Sequence, residues 1–167
     1  MNLAQAQALQ TGPVTQATWC IPLRGNDEIL LAMKKRGFGV GLWNASGGKV
    51  QAGETPAACA AREIREELTL EVTNLQLVAV INFYFAATPK WNQQVFGFTT
   101  RDWIGTPSET EEMSPRWFNY SQIPYGQMWS DDRLWLPRVL AGEKVGGEFL
   151  FDDHNQIIDY RLWPLPS

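Results

Sequence analysis

The sequence is poor in the residues that build thiolate metal sites and disulfide frameworks. It has only two cysteines, Cys20 and Cys59, and a single histidine, His154. Two cysteines this far apart in the chain favour neither a zinc site nor a disulfide framework. We therefore expect a reduced protein whose chemistry depends on other side chains.

Basic residues and long apolar runs are scarce as well. Lys and Arg total 14 against 18 for Asp and Glu, which gives a formal net charge of −4. A chain with this net negative charge is expected to bind nucleic acid polymers and anionic membranes poorly. No apolar run approaches the roughly 18 residues of a membrane span, and residues 1–10 lack the basic residues of a signal or transit peptide. We expect a cytoplasmic monomer that binds a small molecule.

The length of 167 residues is typical of one domain. Residues 1–17 are rich in Gln, Ala and Thr and include Gly12-Pro13, so we predict a flexible leader or a short helix outside the core. The folded domain is then expected over 18–167. Segments of β type surround two helical patterns, which predicts the α/β class with a mixed or largely antiparallel sheet.

The first helical pattern is the strongest local signal. Thr55 is a good N-cap, Pro56 suits the first turn, and apolar residues recur at helical spacing to about Leu68. A second helix is expected from Asp131 to about 141, although Pro137 is awkward inside it. Residues 37–48 are expected to form a glycine-rich loop. Strands are predicted over 17–23, 28–34, 75–85, 94–103, 116–120, 148–151 and 157–162.

Three carboxylates share one face of the first predicted helix. Glu63, Glu66 and Glu67 are spaced i, i+3 and i+4, which places them within about 100° of one another. The three negative charges repel one another and destabilise the helix. Either Arg62 and Arg65 or a bound cation would compensate for this repulsion. From spacing alone, a solvated helix face and a Mg²⁺ site both fit, since Mg²⁺ prefers carboxylate oxygens.

The loop before this helix favours the metal site. A Gly-Gly loop followed by an acidic helix can bring a nucleoside triphosphate against a metal ion. This stretch resembles the Nudix hydrolase signature, with one departure, Thr69 where the signature has glycine. The matching residues are Gly48, Glu54, Arg62, Glu63, Ile64, Glu66, Glu67 and Leu70.

The Nudix resemblance implies an α/β/α sandwich around a mixed β-sheet. It also implies Mg²⁺-dependent hydrolysis, with Mn²⁺ as an alternative ion, of a nucleoside diphosphate linked to another group. By position, Glu63 and Glu67 would be principal metal ligands and Glu66 a further ligand or base. The Gly47 carbonyl would be an additional ligand.

Other residues acquire supporting roles from the same resemblance. Glu54 and Arg62 would orient the glutamates. Glu112 matches a distal acidic position that binds metal or activates water, and otherwise is one charge in an acidic loop. Lys34 would contact the triphosphate, and otherwise is a solvated strand lysine. Gly48 and Lys49 belong to the same substrate-binding segment.

The similarity extends over about residues 28–162 and is specific to the MutT-homologue class of Nudix hydrolases. That class converts oxidised purine nucleoside triphosphates to monophosphates and pyrophosphate, which sanitises the nucleotide pool. Its base pocket uses the positions of Asn44, Trp129, Asp131 and Asp132. Further implied contacts with the substrate come from Ser46, Phe83 and Phe151.

These pocket residues are chemically suited to recognise the polar edge of an oxidised purine. Trp129 offers a flat face for stacking. Two neighbouring carboxylates, Asp131 and Asp132, repel each other, so they should share a proton and present one donor and one acceptor. The alternative for 130–132 is a helix N-cap followed by anions that the helix dipole favours.

Several residues leave the substrate preference open. Ser46 stands where the class has an aromatic residue. The class also uses a polar Thr on the first strand, and Thr18 and Trp19 compete for that position. Phe83, Phe85 and Phe151 suit either a pocket wall or ordinary core packing.

Two other functions remain as alternatives to hydrolysis of oxidised purine nucleotides. One is a Nudix hydrolase for another nucleotide, such as a dinucleoside polyphosphate or a normal dNTP. The other is a non-catalytic nucleotide-binding module, although such modules lack the glutamates that this chain keeps.

Overall fold

The computed structural model describes residues 1–166. Three α-helices and eleven strands follow one another with short 3₁₀ turns at 89–91, 120–122 and 125–127. No helix of this described part is long and apolar enough to cross a bilayer. The elements are α1 (Leu3–Leu9), β1 (Thr15–Arg24), β2 (Glu28–Lys34), β3 (Trp43–Asn44), β4 (Ser46–Lys49), α2 (Pro56–Leu68), β5 (Glu71–Thr73), β6 (Gln76–Phe85), β7 (Gln93–Thr100), β8 (Asp102–Ile104), β9 (Met113–Asn119), α3 (Asp132–Leu140), β10 (Val145–Phe151) and β11 (Ile157–Pro164).

Nine strands form one mixed sheet in the order β11-β10-β6-β7-β1-β2-β3, with β4 paired to β1 and β9 paired to β2. The pairs β1–β7 and β10–β6 are parallel, and the other pairs are antiparallel. Strands β5 and β8 form a separate two-stranded sheet. The predicted mixed sheet is confirmed.

A hydrophobic core lies on each face of the large sheet, because strand side chains alternate between the two faces. Trp19 of β1 belongs to the core that contains Trp135 and Leu136 of α3. Cys20, the next residue, belongs to the core that contains Ala60 and Ile64 of α2. With one helix against each face, the expected α/β/α sandwich is confirmed.

Helix α2 has the predicted bounds, and its caps explain them. The Thr55 hydroxyl accepts a hydrogen bond from the Ala58 N–H at 3.1 Å, and Pro56 occupies the first turn. The helix ends at Thr69, which has φ 62° and ψ 26° in the left-handed region. Glycine is the usual residue at such an end, so the departure from the signature falls on a strained position.

Helix α3 contains Pro137 and is nevertheless continuous. Pro137 lies on the exposed side of the helix, so the carbonyl one turn earlier, which lacks its N–H partner, faces solvent. Trp135, Leu136 and Val139 form the buried side.

The N-terminal segment contains the short helix that was one of the two predicted alternatives, but this helix packs on the domain and not outside the core. Residues 3–9 form α1, and Leu3 and Ala6 pack against Leu150 of β10. The Leu3 N–H donates to Asp159 at 2.8 Å. Apolar burial and this cap hold the helix on the domain, and β1 begins at Thr15, inside the predicted leader.

The bounds of several strands differ from the predicted ones. The expected loop over 37–48 contains β3 and most of β4, and β5 was not predicted, because strands of two to four residues carry little pattern. The predicted strand 94–103 is two strands, β7 and β8, which belong to different sheets. Strands β9 and β10 begin three residues before their predicted starts.

Candidate active site

A cavity of about 490 Å³ opens between one face of the sheet, α3 and the edge of α2. An acidic end lies beside α2, and an aromatic end lies beside α3. The cavity brings together thirteen of the predicted site residues: Lys34, Asn44, Gly47, Gly48, Lys49, Glu63, Glu67, Phe83, Glu112, Trp129, Asp131, Asp132 and Phe151.

At the acidic end, the carboxylate of Glu63 lies directly on the backbone of β4. A Cβ placed on Gly48 would overlap that carboxylate, so any side chain here would displace it. Adjacent Gly47 admits only glycine, because its Cβ would overlap the backbone carbonyl of Thr18 in β1. Gly48 therefore lets the acidic helix reach β4, and Gly47 lets β4 pair closely with β1.

Arg62 orients Glu63 from the side of the cavity. Its guanidinium holds both oxygens of Glu54, at 2.7 and 3.0 Å, and donates to Glu63 Oε1 at 2.9 Å. The bonds from Arg62, followed by one from the Gln51 N–H, hold the pKa of Glu54 at about 2. Glu54 thus stays ionised and anchors the arginine that positions Glu63.

Glu67 is the most perturbed carboxyl of this end. It is 5% exposed, and no Lys, Arg or His of residues 1–166 forms an ion pair with it within 4.0 Å. Burial, and then the charges of Glu63 and Glu112, raise the pKa of Glu67 to about 8. A buried carboxyl beside two like charges fits a cation-binding position.

The donor set suits a hard divalent ion. Glu63, Glu67 and the Gly47 carbonyl offer only oxygen atoms, which Mg²⁺ prefers, and Mg²⁺ usually keeps several waters and substrate oxygens. Within the described residues, no three Asp, Glu, His or Cys side chains already converge as a complete cage. Two carboxylates and a carbonyl fit an ion that shares its coordination with a polyphosphate.

Four predicted site residues are outside the cavity lining: Glu54 and Arg62, which act on Glu63 as described, and Glu66 and Ser46. Glu66 is not part of the lining, and its side chain is 57% exposed and meets Arg62 at 3.3 Å. Glu66 directly precedes Glu67 in the helix, so the two side chains point about 100° apart around the helix axis. Ser46 pairs with Cys20 across β4 and β1, on the face that packs on α2. Its buried hydroxyl has no hydrogen-bond partner.

Glu112 reaches the cavity from the loop before β9. Its carboxylate also forms an exposed ion pair with Arg36 at 3.3 Å. Lys34 lines the same end and contributes a positive charge that opposes the raised pKa of Glu67. Two further contacts, Lys35 with Glu109 at 3.0 Å and Arg36 with Glu111 at 3.7 Å, tie the acidic loop to the end of β2.

Aromatic side chains form the walls of the other end. Trp129 meets Phe151 edge to face with ring centroids 5.8 Å apart, and Phe83 stacks on Phe151 at 6.0 Å. Phe38, which is 46% exposed, contacts Trp129 with its ring centroid at 5.1 Å. Asn44 adds an amide to this apolar surface. The arrangement can hold a flat heterocycle and read its polar edge.

Asp131 and Asp132 lie at this end with only 3% and 8% of their surface exposed. Ser130 would be the N-cap in the alternative, and its buried hydroxyl has no hydrogen-bond partner among residues 1–166. Asp131 precedes α3, makes no capping hydrogen bond and accepts one from Trp135 Nε1 at 2.7 Å. Burial raises the pKa of Asp131 to about 6. Burial and the neighbouring Asp131 raise the pKa of Asp132 well above its usual range. The pair therefore holds a proton near neutral pH.

The predicted site did not include three aromatic residues of the cavity, Phe38, Trp19 and Trp135. Phe38 lies in the glycine-rich loop, and the left-handed Gly37 and Gly39 on either side project it towards Trp129. Trp19 and Thr18 both line the cavity, and the hydroxyl of Thr18 lies 3.2 Å from Cys59 Sγ beside α2. Alternation along β1 could have separated these two residues, but both faces of this strand are buried.

Known proteins resemble this chain over most of its length. The NUDIX domain model matches residues 13–139. The oxidized purine nucleoside triphosphate hydrolase of Mus musculus is 46% identical over 140 residues, which cover 84% of this chain and 89% of that protein. The Danio rerio protein of the same name is 43% identical over 135 residues, with 81% and 86% covered. A MutT protein from Bacillus halodurans superposes with a TM-score of 0.80 at 25% identity, covering 92% of this chain and 100% of that chain.

Proposed function

This chain belongs to the NUDIX family, and from that membership we propose that it hydrolyses oxidised purine nucleoside triphosphates. The substrates are of the 8-oxo-dGTP and 2-hydroxy-dATP type, and the products are the nucleoside monophosphate and pyrophosphate. One observation carries the proposal: Glu63 and Glu67 line the same cavity as Trp129 and the buried pair Asp131 and Asp132. The names of the mouse and zebrafish relatives support the same substrate class.

The acidic end binds the triphosphate. Glu63, Glu67 and the Gly47 carbonyl would hold Mg²⁺, with Mn²⁺ as an alternative. When bound, the ion supplies neutralisation of phosphate charge and a water of lowered pKa. Arg62 keeps Glu63 in place, and Lys34 and Lys49 offer positive charge to the phosphate oxygens.

Glu112 has a separate role at this end. It lines the cavity opposite α2 and carries the negative charge that helps to raise the pKa of Glu67. We assign it the acceptance of a proton from the attacking water, for which its exposed position provides an exit to solvent. Glu66 is exposed and bound to Arg62, so we assign it support of that arginine and not direct contact with the substrate.

The aromatic end recognises the base. Trp129 stacks on the purine ring, and the Asn44 amide pairs with its edge. One proton shared by Asp131 and Asp132 gives the pair one donor and one acceptor. Oxidation changes the donors and acceptors of a purine edge, and a site built for one pattern leaves buried groups unpaired when it meets another. This is the basis of preference over unmodified purines.

Release of pyrophosphate from 8-oxo-dGTP, 2-hydroxy-dATP, dGTP and ATP, each with and without Mg²⁺, tests the proposal. We expect Mg²⁺-dependent turnover with kcat/KM at least about tenfold higher for an oxidised purine, since one hydrogen bond to a charged group is worth about that factor. Equal kcat/KM for all four nucleotides would refute the preference. No turnover of any nucleotide, with binding retained, would indicate a non-catalytic module.

A further inference from the structure

Trp19 of β1 occupies an inner position of the cavity. It is 9% exposed and lies in the lining together with Ile21 from the same face of the strand. Neither the signature nor the predicted pocket set includes it. A side chain of this size at the inner wall limits how far a base can enter.

The sheet is shaped to accept this indole. Gly97 of the neighbouring strand β7 pairs with Trp19 in register. A Cβ placed on Gly97 would overlap the six-membered ring of Trp19. Gly97 itself is not part of the cavity lining. Its lack of a side chain therefore makes room for the Trp19 ring and does not provide a direct contact with a ligand.

Trp19 is also connected to the buried aspartates. Its ring stacks on Trp135 with centroids 5.0 Å apart and an interplanar angle of 21°. The Trp135 indole N–H donates to Asp131 Oδ2 at 2.7 Å. The stack therefore holds the Trp135 indole in place, because an indole packed between β1 and α3 has little freedom to rotate. The Trp135 N–H in turn orients the Asp131 carboxyl.

We propose that Trp19 is a specificity-determining residue: its stack on Trp135 holds the orientation of Asp131 that distinguishes oxidised from unmodified purines. The inference rests on the proposed function, since it explains how the base-recognising end keeps its preference. Trp19 acts on recognition through Trp135, as a positioning residue: its backbone pairs with Gly47 of β4, and its ring stacks on Trp135 at the base-recognising end.

Four variants test this inference: Trp19→Leu, the conservative Trp19→Phe, Gly97→Ala and the double variant Trp19→Leu with Gly97→Ala. Trp103→Leu is the matched control, because Trp103 also packs against a tryptophan, with its ring centroid 5.5 Å from that of Trp117, but lies outside the cavity lining. For each variant, kcat and KM are measured for an oxidised purine triphosphate and for its unmodified counterpart, with Mg²⁺ present.

Trp19→Leu should lower the kcat/KM ratio of oxidised to unmodified substrate by about tenfold, the size of a lost hydrogen bond to a charged group. The loss should appear in KM for the oxidised substrate, with kcat within about twofold of the parent. Trp19→Phe should recover most of the ratio, because a ring still stacks on Trp135. Trp103→Leu should leave the ratio unchanged.

Gly97→Ala provides an independent version of the test. By displacing the indole, it should lower the ratio like Trp19→Leu, and it should add little when Trp19 is already leucine, since coupled residues are not additive. It also replaces Trp19→Leu as the primary variant if the latter does not fold. An unchanged ratio in folded Trp19→Leu or Gly97→Ala, or an equal loss in Trp103→Leu, would overturn the inference.

The Trp135 indole N–H resonance separates failure of this inference from failure of the proposed function. In ¹⁵N-labelled protein, the peak is assigned by its absence in Trp135→Phe. This proton should exchange with solvent faster in Trp19→Leu, because the hydrogen bond to Asp131 weakens, and at the parent's rate in Trp103→Leu. This holds even if the parent prefers no oxidised purine. An unchanged exchange rate in Trp19→Leu would refute the positioning role.

Discussion

Replacement of Asp131 by asparagine tests the electrostatics of the base-recognising end without reference to activity. Asp131 is 3% exposed and accepts the Trp135 N–H at 2.7 Å. Asparagine has the same shape, keeps an oxygen for this N–H and carries no charge. We predict that Asp131→Asn is more stable than the parent at about pH 8 and has no such advantage at about pH 4.

The sign and size follow from the raised pKa. A carboxyl whose pKa is higher in the folded than in the unfolded state contributes its full stability below the unfolded pKa and loses it as pH rises through the folded one. For Asp131, the pKa rises from 3.8 to about 6. This difference of about 2.2 corresponds to about 3 kcal/mol at about 1.4 kcal/mol per pH unit. Because Asp131 also raises the pKa of Asp132, its removal acts in the same direction at both residues.

Urea unfolding followed by circular dichroism at several pH values between about 4 and 8 measures the effect. Asp153→Asn is the matched control, since the Asp153 side chain is 68% exposed and solvated in both states. The free energy of unfolding of Asp131→Asn minus that of the parent should grow by about 3 kcal/mol from acid to alkaline pH. A difference that stays constant over this interval would refute the argument.

Four further substitutions test three other strained or buried positions by their melting temperatures. Thr69→Gly should stabilise by about 1 kcal/mol, because it relieves a β-branched residue at φ 62°. Thr69→Ala should destabilise, since it keeps the strained backbone and loses the 2.6 Å bond to Ser108; the reverse order would contradict this account. Ser46→Ala should stabilise by about 1 kcal/mol, because the buried hydroxyl has no partner. A loss of stability would show that the hydroxyl is satisfied. Asn92→Ala should cost about 1–3 kcal/mol, since it leaves the buried Phe85 N–H without its 2.8 Å acceptor; an unchanged melting temperature would count against that role.

Local signals predicted the parts of the fold that depend on neighbouring residues. Thr55, Pro56 and the apolar stripe set both ends of α2, because caps and helical periodicity act within a few residues. Strands β3, β4 and β5 depend on partners distant in sequence, and their two to four residues carry no pattern of their own. Leader segment 1–17 could not be placed, because the position of α1 depends on Leu150, near the other end of the chain.

The candidate site shows the same division. The spacing of Glu63, Glu66 and Glu67 identified an acidic face but could not say which carboxylate is buried, since that depends on the approach of α2 to Gly48. Trp19 could not be distinguished from Thr18 as the pocket residue of the first strand, because both faces of β1 are buried and no alternation of polar and apolar residues marks the cavity side.

The central claim is that one cavity joins a metal-binding end to a base-recognising end. The most direct test is pyrophosphate release with Mg²⁺ from 8-oxo-dGTP and dGTP by Glu67→Gln and Asp132→Asn. Glu67→Gln should lose activity on both nucleotides by about 100-fold or more, whereas Asp132→Asn should lose activity selectively on the oxidised base by at least about tenfold. An equal loss on both nucleotides in Asp132→Asn, or a Glu67→Gln variant as active as the parent, would contradict the account.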